Sequence, residues 1–220
     1  MHWLRSVVIC LGLIAPHIGE AGPWPRPEGE MFLSISGEFD VRKDISDDEK
    51  FFASLFFERG LKNNLTFGLD AGSRPFGDPE VIAFLRYPIS PTDQNARFSA
   101  EMGVGFFDGE GAVRPGFSWG RGVTVRNIGG WLSLDTTALV NTERDGRLES
   151  DFTFGLRPGE KSLAILQLQT GIPFDGDAFA KVAPSYVYEL KPGRLLELGV
   201  VAGFIESDQL SIKLGIWREF

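Results

Sequence analysis

Glu149 and Asp151 stand two residues apart in an alternating run, and so do Glu38 and Asp40. Residues two apart on an extended strand share a face, so each pair sets two carboxylates side by side. That is the minimal equipment for acid–base work in which one carboxyl holds a proton and the other does not. The faces that carry these acids also carry bases. Taken along the chain, they present Glu38, Asp40, Asp70, Arg86, Arg97, Glu101, Arg114, Asp135, Asp151, Arg157, Lys181, Glu197 and Lys213, spaced by Gly and Ser. Small residues alternating with both charge signs suit a confined interior where charges pair. The carboxylates therefore read as ion-pair partners of Arg or Lys on neighbouring strands, and no catalytic residue is assigned.

Other chemistries are narrower still. Both histidines (His2, His17) and the one cysteine (Cys10) fall within the first 21 residues. Arg5, the short apolar run 7–15 and the small residues Gly19 and Ala21 around Glu20 predict a secretory segment, 1–21, cleaved before Gly22. The apolar run is too short for a spanning helix. Cys10 lies inside it, with Val7 where a lipobox leucine would stand, which argues against lipidation. Residues 22–220 then hold neither His nor Cys. That excludes a Ser–His–Asp triad, a His-ligated metal, a thiol nucleophile and a disulfide framework.

Arg5 and Glu20 leave together, so the net charge of -8 is kept. An acidic balance argues against nucleic acid as a partner. Asp175-Gly176-Asp177 and the acidic stretch 44–49 lack the full EF-hand spacing and read as solvated loops. The glycines at 103–105 and 109–111 have no strand-to-helix context and no Walker lysine. No metal or cofactor is expected.

The elements that hold these residues are strands. Residues 22–30, GPWPRPEGE, have three prolines in close succession and predict an extended leader outside any helix or central strand. Trp24 could rest on a rim, sit at an interface or be disordered with its neighbours. From residue 31 the chain repeats alternating runs of about nine to twelve residues and short breaks, the period of half-buried strands. Examples are Met31, Leu33, Ile35, Gly37, Phe39 and Val41 against Ser34, Ser36, Glu38 and Asp40, and Leu210, Ile212, Leu214, Ile216 and Phe220 against Ser211, Lys213 and Gly215. The run FFASLFFERG is aromatic on both parities, so its register is ambiguous. The sixth run is expected near 113–119. No 3.6 period is sustained and no apolar run reaches 18 residues.

Every second break should lie on one side. RGLKN, RPGEK and KPGR are tight and basic, whereas RKDISDDEK, SRPFGDPE, NTERDGR and IPFDGDA are mostly longer and more acidic. Two alternating families of connections are what an up-and-down meander produces. Pro158-Gly159 and Pro192-Gly193 fit the central positions of type II turns. The fold class is thus all-β: a single closed antiparallel up-and-down transmembrane β-barrel over 31–220, with about 12 strands, 10 being the next choice. The last strand closes on the first, where Lys213 should meet Glu38 and Asp40. A secreted soluble barrel or sandwich with the apolar faces inside is the competing arrangement.

The secretory segment, alternating strands, paired connection families, even strand count and aromatic ending together resemble the Gram-negative outer-membrane β-barrel superfamily. Aromatic residues near strand ends (Phe51, Tyr87, Phe106, Trp119, Tyr188, Phe204, Phe220) resemble its two girdles. The resemblance covers residues 22–220 and is architectural; only the last strand is motif-like. Its Leu214, Ile216 and Phe220 resemble the signal read by the outer-membrane assembly machinery. Trp217 and Arg218 depart from that pattern and put the register there in doubt.

The resemblance implies outer-membrane lipid as surroundings and export to the cell outer membrane. Two functions then remain: a small passive channel for small polar solutes, or a non-conducting structural or interaction barrel of the envelope.

Overall fold

The computed structural model describes residues 22–42, 50–91 and 95–220. The expected secretory segment and the acidic stretch 44–49 lie outside them. Twelve strands follow in chain order: β1 (Met31–Asp40), β2 (Phe51–Gly60), β3 (Thr66–Ser73), β4 (Glu80–Pro88), β5 (Ala96–Phe107) and β6 (Glu110–Val125), then β7 (Ile128–Asn141), β8 (Gly146–Gly159), β9 (Ser162–Pro173), β10 (Phe179–Lys191), β11 (Arg194–Ile205) and β12 (Leu210–Glu219). Each pairs antiparallel with its sequence neighbours, and β12 pairs with β1 to close the barrel. Closure leaves no strand edge unpaired.

The turns explain several strand limits. Asp108 and Gly109, both at positive φ (54° and 75°), make the two-residue connection between β5 and β6. Arg126 and Asn127 do the same between β6 and β7 (49° and 67°). Two central residues at positive φ match the right-handed twist of the strands they join. The β6–β7 turn moves the end of the sixth strand well beyond the expected 119, to Val125. Gly193, at φ 70°, follows Pro192 as a type II turn requires. Pro158-Gly159 does not form a turn. Gly159 pairs with Ser162 after a register irregularity, and Glu160-Lys161 make the connection.

Outward faces are apolar on all twelve strands. Ile35, Leu85, Met102, Val104, Leu198, Leu214 and Ile216 are half or more exposed. A continuous apolar belt of this kind suits hydrocarbon and not water, which removes the soluble arrangement with apolar residues inside. Tyr87, Tyr188 and Phe220 stand exposed near the rim that holds the strand termini, and Phe51, Phe106 and Phe204 near the other. Trp119 is inside the long β6, level with Phe98, and not at a strand end.

The closing strand keeps its alternation. The β1–β12 register runs without a shift from Phe32↔Glu219 to Asp40↔Ser211. Trp217 takes the inward parity and is buried. Arg218 takes the outward parity and sits over the Phe220 ring, 4.8 Å from its centroid. The doubt over register at the chain end is therefore resolved in favour of one continuous strand. The ambiguous β2 turns Phe52, Ser54, Phe56 and Glu58 inward; Glu58 is buried and Arg59 exposed.

Candidate functional site

The inward faces are not uniformly polar. Near the rim that holds both ends of the barrel they carry Phe32 (β1), Trp131 (β7), Leu163 (β9), Val187 (β10), Leu195 (β11) and Trp217 (β12) as one buried cluster. β1 and β7 lie six strands apart on the ring, so this cluster spans the lumen. Phe32 meets Trp217 edge-on at 5.6 Å and Phe56 at 6.4 Å, and Phe56 stacks on Phe84 at 6.0 Å. Edge-on and offset ring contacts of this length are favourable.

The leader completes the obstruction. Residues 22–26 fold into the lumen, with Gly22 and Pro23 buried and Trp24 packed on the apolar cluster, and residues 27–30 stay exposed. Backbone bonds from Gly29 N to Gly60 O (3.0 Å) and from Gly60 N to Glu30 O (2.9 Å) tie its end to β2. Arg26 donates from its backbone N to Thr66 Oγ1 (3.3 Å) and from Nε to Glu58 Oε2 (2.7 Å), and its guanidinium lies 4.6 Å from the Phe32 ring centroid. Gly120 makes room: a Cβ there would stand 2.5 Å from Trp24 Cη2 and 2.8 Å from Pro23 Cγ. The prolines suit a buried segment with no ladder partner, because each removes an N–H that would otherwise need an acceptor. Of the fates open to Trp24 from sequence, none was packing inside the barrel.

Beside the apolar tier, on β2 to β6, lies a tier of ion pairs. Arg86 binds Glu58 Oε1 (2.6 Å) and Glu101 Oε2 (2.9 Å), and also donates to the Gly22 carbonyl (3.2 Å). Arg114 binds Asp70 Oδ2 (2.6 Å) and approaches Glu101 Oε1 (3.4 Å). Both guanidiniums also lie over the Phe84 ring. Arg86, Glu101, Arg114 and Glu58 are all buried. Among the described residues, Ser133 Oγ, Asp135 Oδ1, Ser99 Oγ, Arg114 Nε and Trp131 Nε1 are buried without a hydrogen-bond partner.

Beyond this tier a cavity of about 350 Å3 opens, with Asp70, Asp135, Glu149, Asp151, Glu197 and Lys213 in its walls and Gly22 and Arg26 in its floor. Arg147 links Glu80 (2.5 Å) and Glu149 (3.0 Å). Lys213 lies opposite Glu38 in register, yet its ammonium binds Glu197 Oε1 at 3.1 Å, and Trp217 Nε1 donates to Glu197 Oε2 at 3.0 Å. The expected meeting of Lys213 with Glu38 and Asp40 is thus not made. Glu38 accepts from Gln209 (3.1 Å), and Asp40 pairs with Arg42 (2.8 Å).

Arg157 lies 5.6 Å from the Trp131 centroid, and Lys181 5.1 Å from that of Phe179. Arg97, half-buried, stands opposite Gly120 in register. The structure therefore gathers Asp70, Arg86, Glu101, Arg114 and Asp135 into one group, and sets Asp40, Lys181 and Arg157 apart from it. Glu58 and Arg26 were missed as members of that group. Glu58 sat in the run of ambiguous parity, and Arg26 in the leader.

No family model matches the chain, and no curated protein matches it. Solved structures do. The KdgM porin, also solved in complex with disordered oligogalacturonate, superposes with a TM-score of 0.63 at 8% identity, covering 86% of this chain and 99% of that one. The NanC porin gives 0.61 at 11% identity, covering 86% and 98%. An outer membrane channel from Pseudomonas putida F1 gives 0.53 at 11% identity, covering 92% and 100%. At these identities the likeness is one of fold: the chain is a closed twelve-stranded antiparallel barrel, the fold these structures share with it.

Proposed function

We propose that this barrel sits in the outer membrane as a channel closed at rest. Its own segment 22–30 is the plug, and small polar solutes pass only when the plug leaves. The observation that carries this reading is the buried Pro23 and the half-buried Trp24, whose ring packs on a cluster that spans the lumen. Side chains lining an open pore would be wetted, whereas Trp131, Leu163 and Val187 are at most 2% exposed. The likeness to porins supports the outer-membrane location. The five connections on the plugged side include the two-residue turns at 126–127, 160–161 and 192–193. Short turns belong on the periplasmic side of such barrels, so the plug faces the periplasm and the cavity faces outward.

The walls of that cavity select by charge. Six carboxylates (Asp70, Glu101, Asp135, Glu149, Asp151 and Glu197) line it against four cations (Arg26, Arg86, Arg114 and Lys213). The KdgM porin has been solved with oligogalacturonate, a polyanion. The acidic walls here would repel such a ligand and favour neutral or cationic solutes.

Planar-bilayer recording tests the reading. The purified protein should be silent or nearly so, and a variant lacking residues 23–29 should show discrete conductance steps while still migrating as a heat-modifiable barrel. Equal conductance of the two would show that the segment is no plug. A folded but silent deletion variant would favour the non-conducting envelope barrel, a reading that the buried ion-pair tier supports.

A further inference from the structure

Three guanidiniums and four carboxylates meet inside the barrel at the level of the leader: Arg26, Arg86 and Arg114 with Glu58, Asp70, Glu101 and Asp135. The first three acids each hold an arginine directly. Asp135 is the acid left over, with Oδ1 buried and unpartnered. Two residues before it on the same inward face, Ser133 is fully buried, and its hydroxyl and that of Ser118 face the Asp135 carboxylate. A buried acceptor left unpartnered is costly.

Gly22 abuts Ser133. A Cβ on Gly22 would stand 3.0 Å from Ser133 Cβ and 3.4 Å from Ser133 Oγ. The Gly22 carbonyl is held by Arg86, whose charge also acts on Asp135, and Gly22 and Asp135 line the same cavity. We propose that cleavage before Gly22 creates an α-ammonium that docks on Asp135 and Ser133, so that export processing itself completes the plug.

This rests on reading 22–30 as the plug and on the expected cleavage site. The chemistry is hydrolysis of the Ala21–Gly22 peptide bond by water, which leaves a carboxylate on Ala21 and an ammonium on Gly22. That ammonium supplies a fourth positive charge against the four carboxylates, and N–H donors for the unpartnered Asp135 Oδ1. Before cleavage the same nitrogen is a neutral amide with a single N–H. The site is thus specific for the processed chain: the end of one polypeptide is the ligand of its own lumen.

The test uses protein in outer-membrane fragments, an acetylating N-hydroxysuccinimide ester near neutral pH, and mass spectrometry of the N-terminal peptide. Two variants are compared with it. One is Asp135→Asn. The other carries Gly-Ser inserted between Ala21 and Gly22, which moves the ammonium by about 7 Å along an extended chain. The wild-type chain should begin at Gly22. Its α-amine should acylate at least about tenfold more slowly than in either variant, the factor expected for a close buried charge pair. If Asp135→Asn fails to assemble, the insertion variant decides alone.

A chain beginning elsewhere overturns the proposal, and so does a wild-type rate equal to that of the insertion variant or of an assembled Asp135→Asn. None of these readouts depends on conductance. A protected amine on a silent deletion variant's parent would leave the docking intact and count against gating only.

Discussion

Arg86 of β4 and Glu58 of β2 are joined across the intervening β3 at 2.6 Å, with side-chain exposures of 10% and 3%. Neither could be assigned to the other from spacing, because they belong to different hairpins. Together they carry the leader. Glu58 holds Arg26 on one oxygen and Arg86 on the other, and Arg86 holds the Gly22 carbonyl.

Breaking that pair from one side should be costly. Glu58→Gln leaves two arginines buried with one anion fewer, and removing one partner of a buried pair costs roughly 3 kcal/mol or more. The urea midpoint of the heat-modifiable form should fall accordingly, and the leader should become sensitive to protease. A variant with an unchanged midpoint would show that water reaches this tier.

Gly120→Val should unseat the plug from the barrel wall. The new side chain would collide with Trp24 and Pro23, both within 2.8 Å of where its Cβ must lie. The barrel wall tolerates valine, a good strand former, so the folded barrel should persist. Acrylamide quenching of tryptophan fluorescence should rise, and conductance steps should appear. Unchanged quenching would place Trp24 away from Gly120.

The unplugged barrel should prefer cations. Reversal potentials in a salt gradient, measured on the variant lacking 23–29, should have the sign of cation selectivity. Glu149→Gln with Asp151→Asn should weaken it toward zero, since both carboxylates line the cavity. An anion-selective pore would overturn the charge reading.

Trp217 should matter to the closing strand mainly through packing. Trp217→Phe keeps the contact with Phe32 but gives up the bond to Glu197, a loss of about 1.5–3 kcal/mol for a bond to a charged acceptor. Trp217→Ala also empties part of the apolar tier and should cost about 3–5 kcal/mol. Urea midpoints of the two variants should differ in that order. A reversed order would place the weight on the hydrogen bond.

Deleting Phe220 should lower the yield of assembled barrel. The residue exchanges two backbone bonds with Met31, at 3.0 and 3.1 Å, on the closing seam. Its ring is exposed, with the Arg218 guanidinium over it. Pulse-chase assays of heat-modifiable protein measure the effect, and unchanged levels would show that the seam tolerates the loss.

The sequence by itself determined the parity of almost every residue. Period-2 alternation is a property of the backbone, so it shows from Leu210 to Ile216 which side chains share a face, whatever lies opposite. It also pointed to a closed meander of about twelve strands, ten being the next choice, with the last strand paired to the first. Parity does not say which inward charges meet. Lys213 faces Glu38 in register yet binds Glu197, because side-chain reach inside a curved wall decides among several acids at similar distance.

Nor could parity place residues 22–30, which have no alternation to read. Only the closed barrel, with a gap at Gly120 and anions at Glu58 and Glu101, gives Trp24 and Arg26 an interior to occupy. An apolar ring and a guanidinium on a proline-rich leader acquire a place when the far sides of the lumen, β1 and β7, are brought within the span of one side-chain cluster.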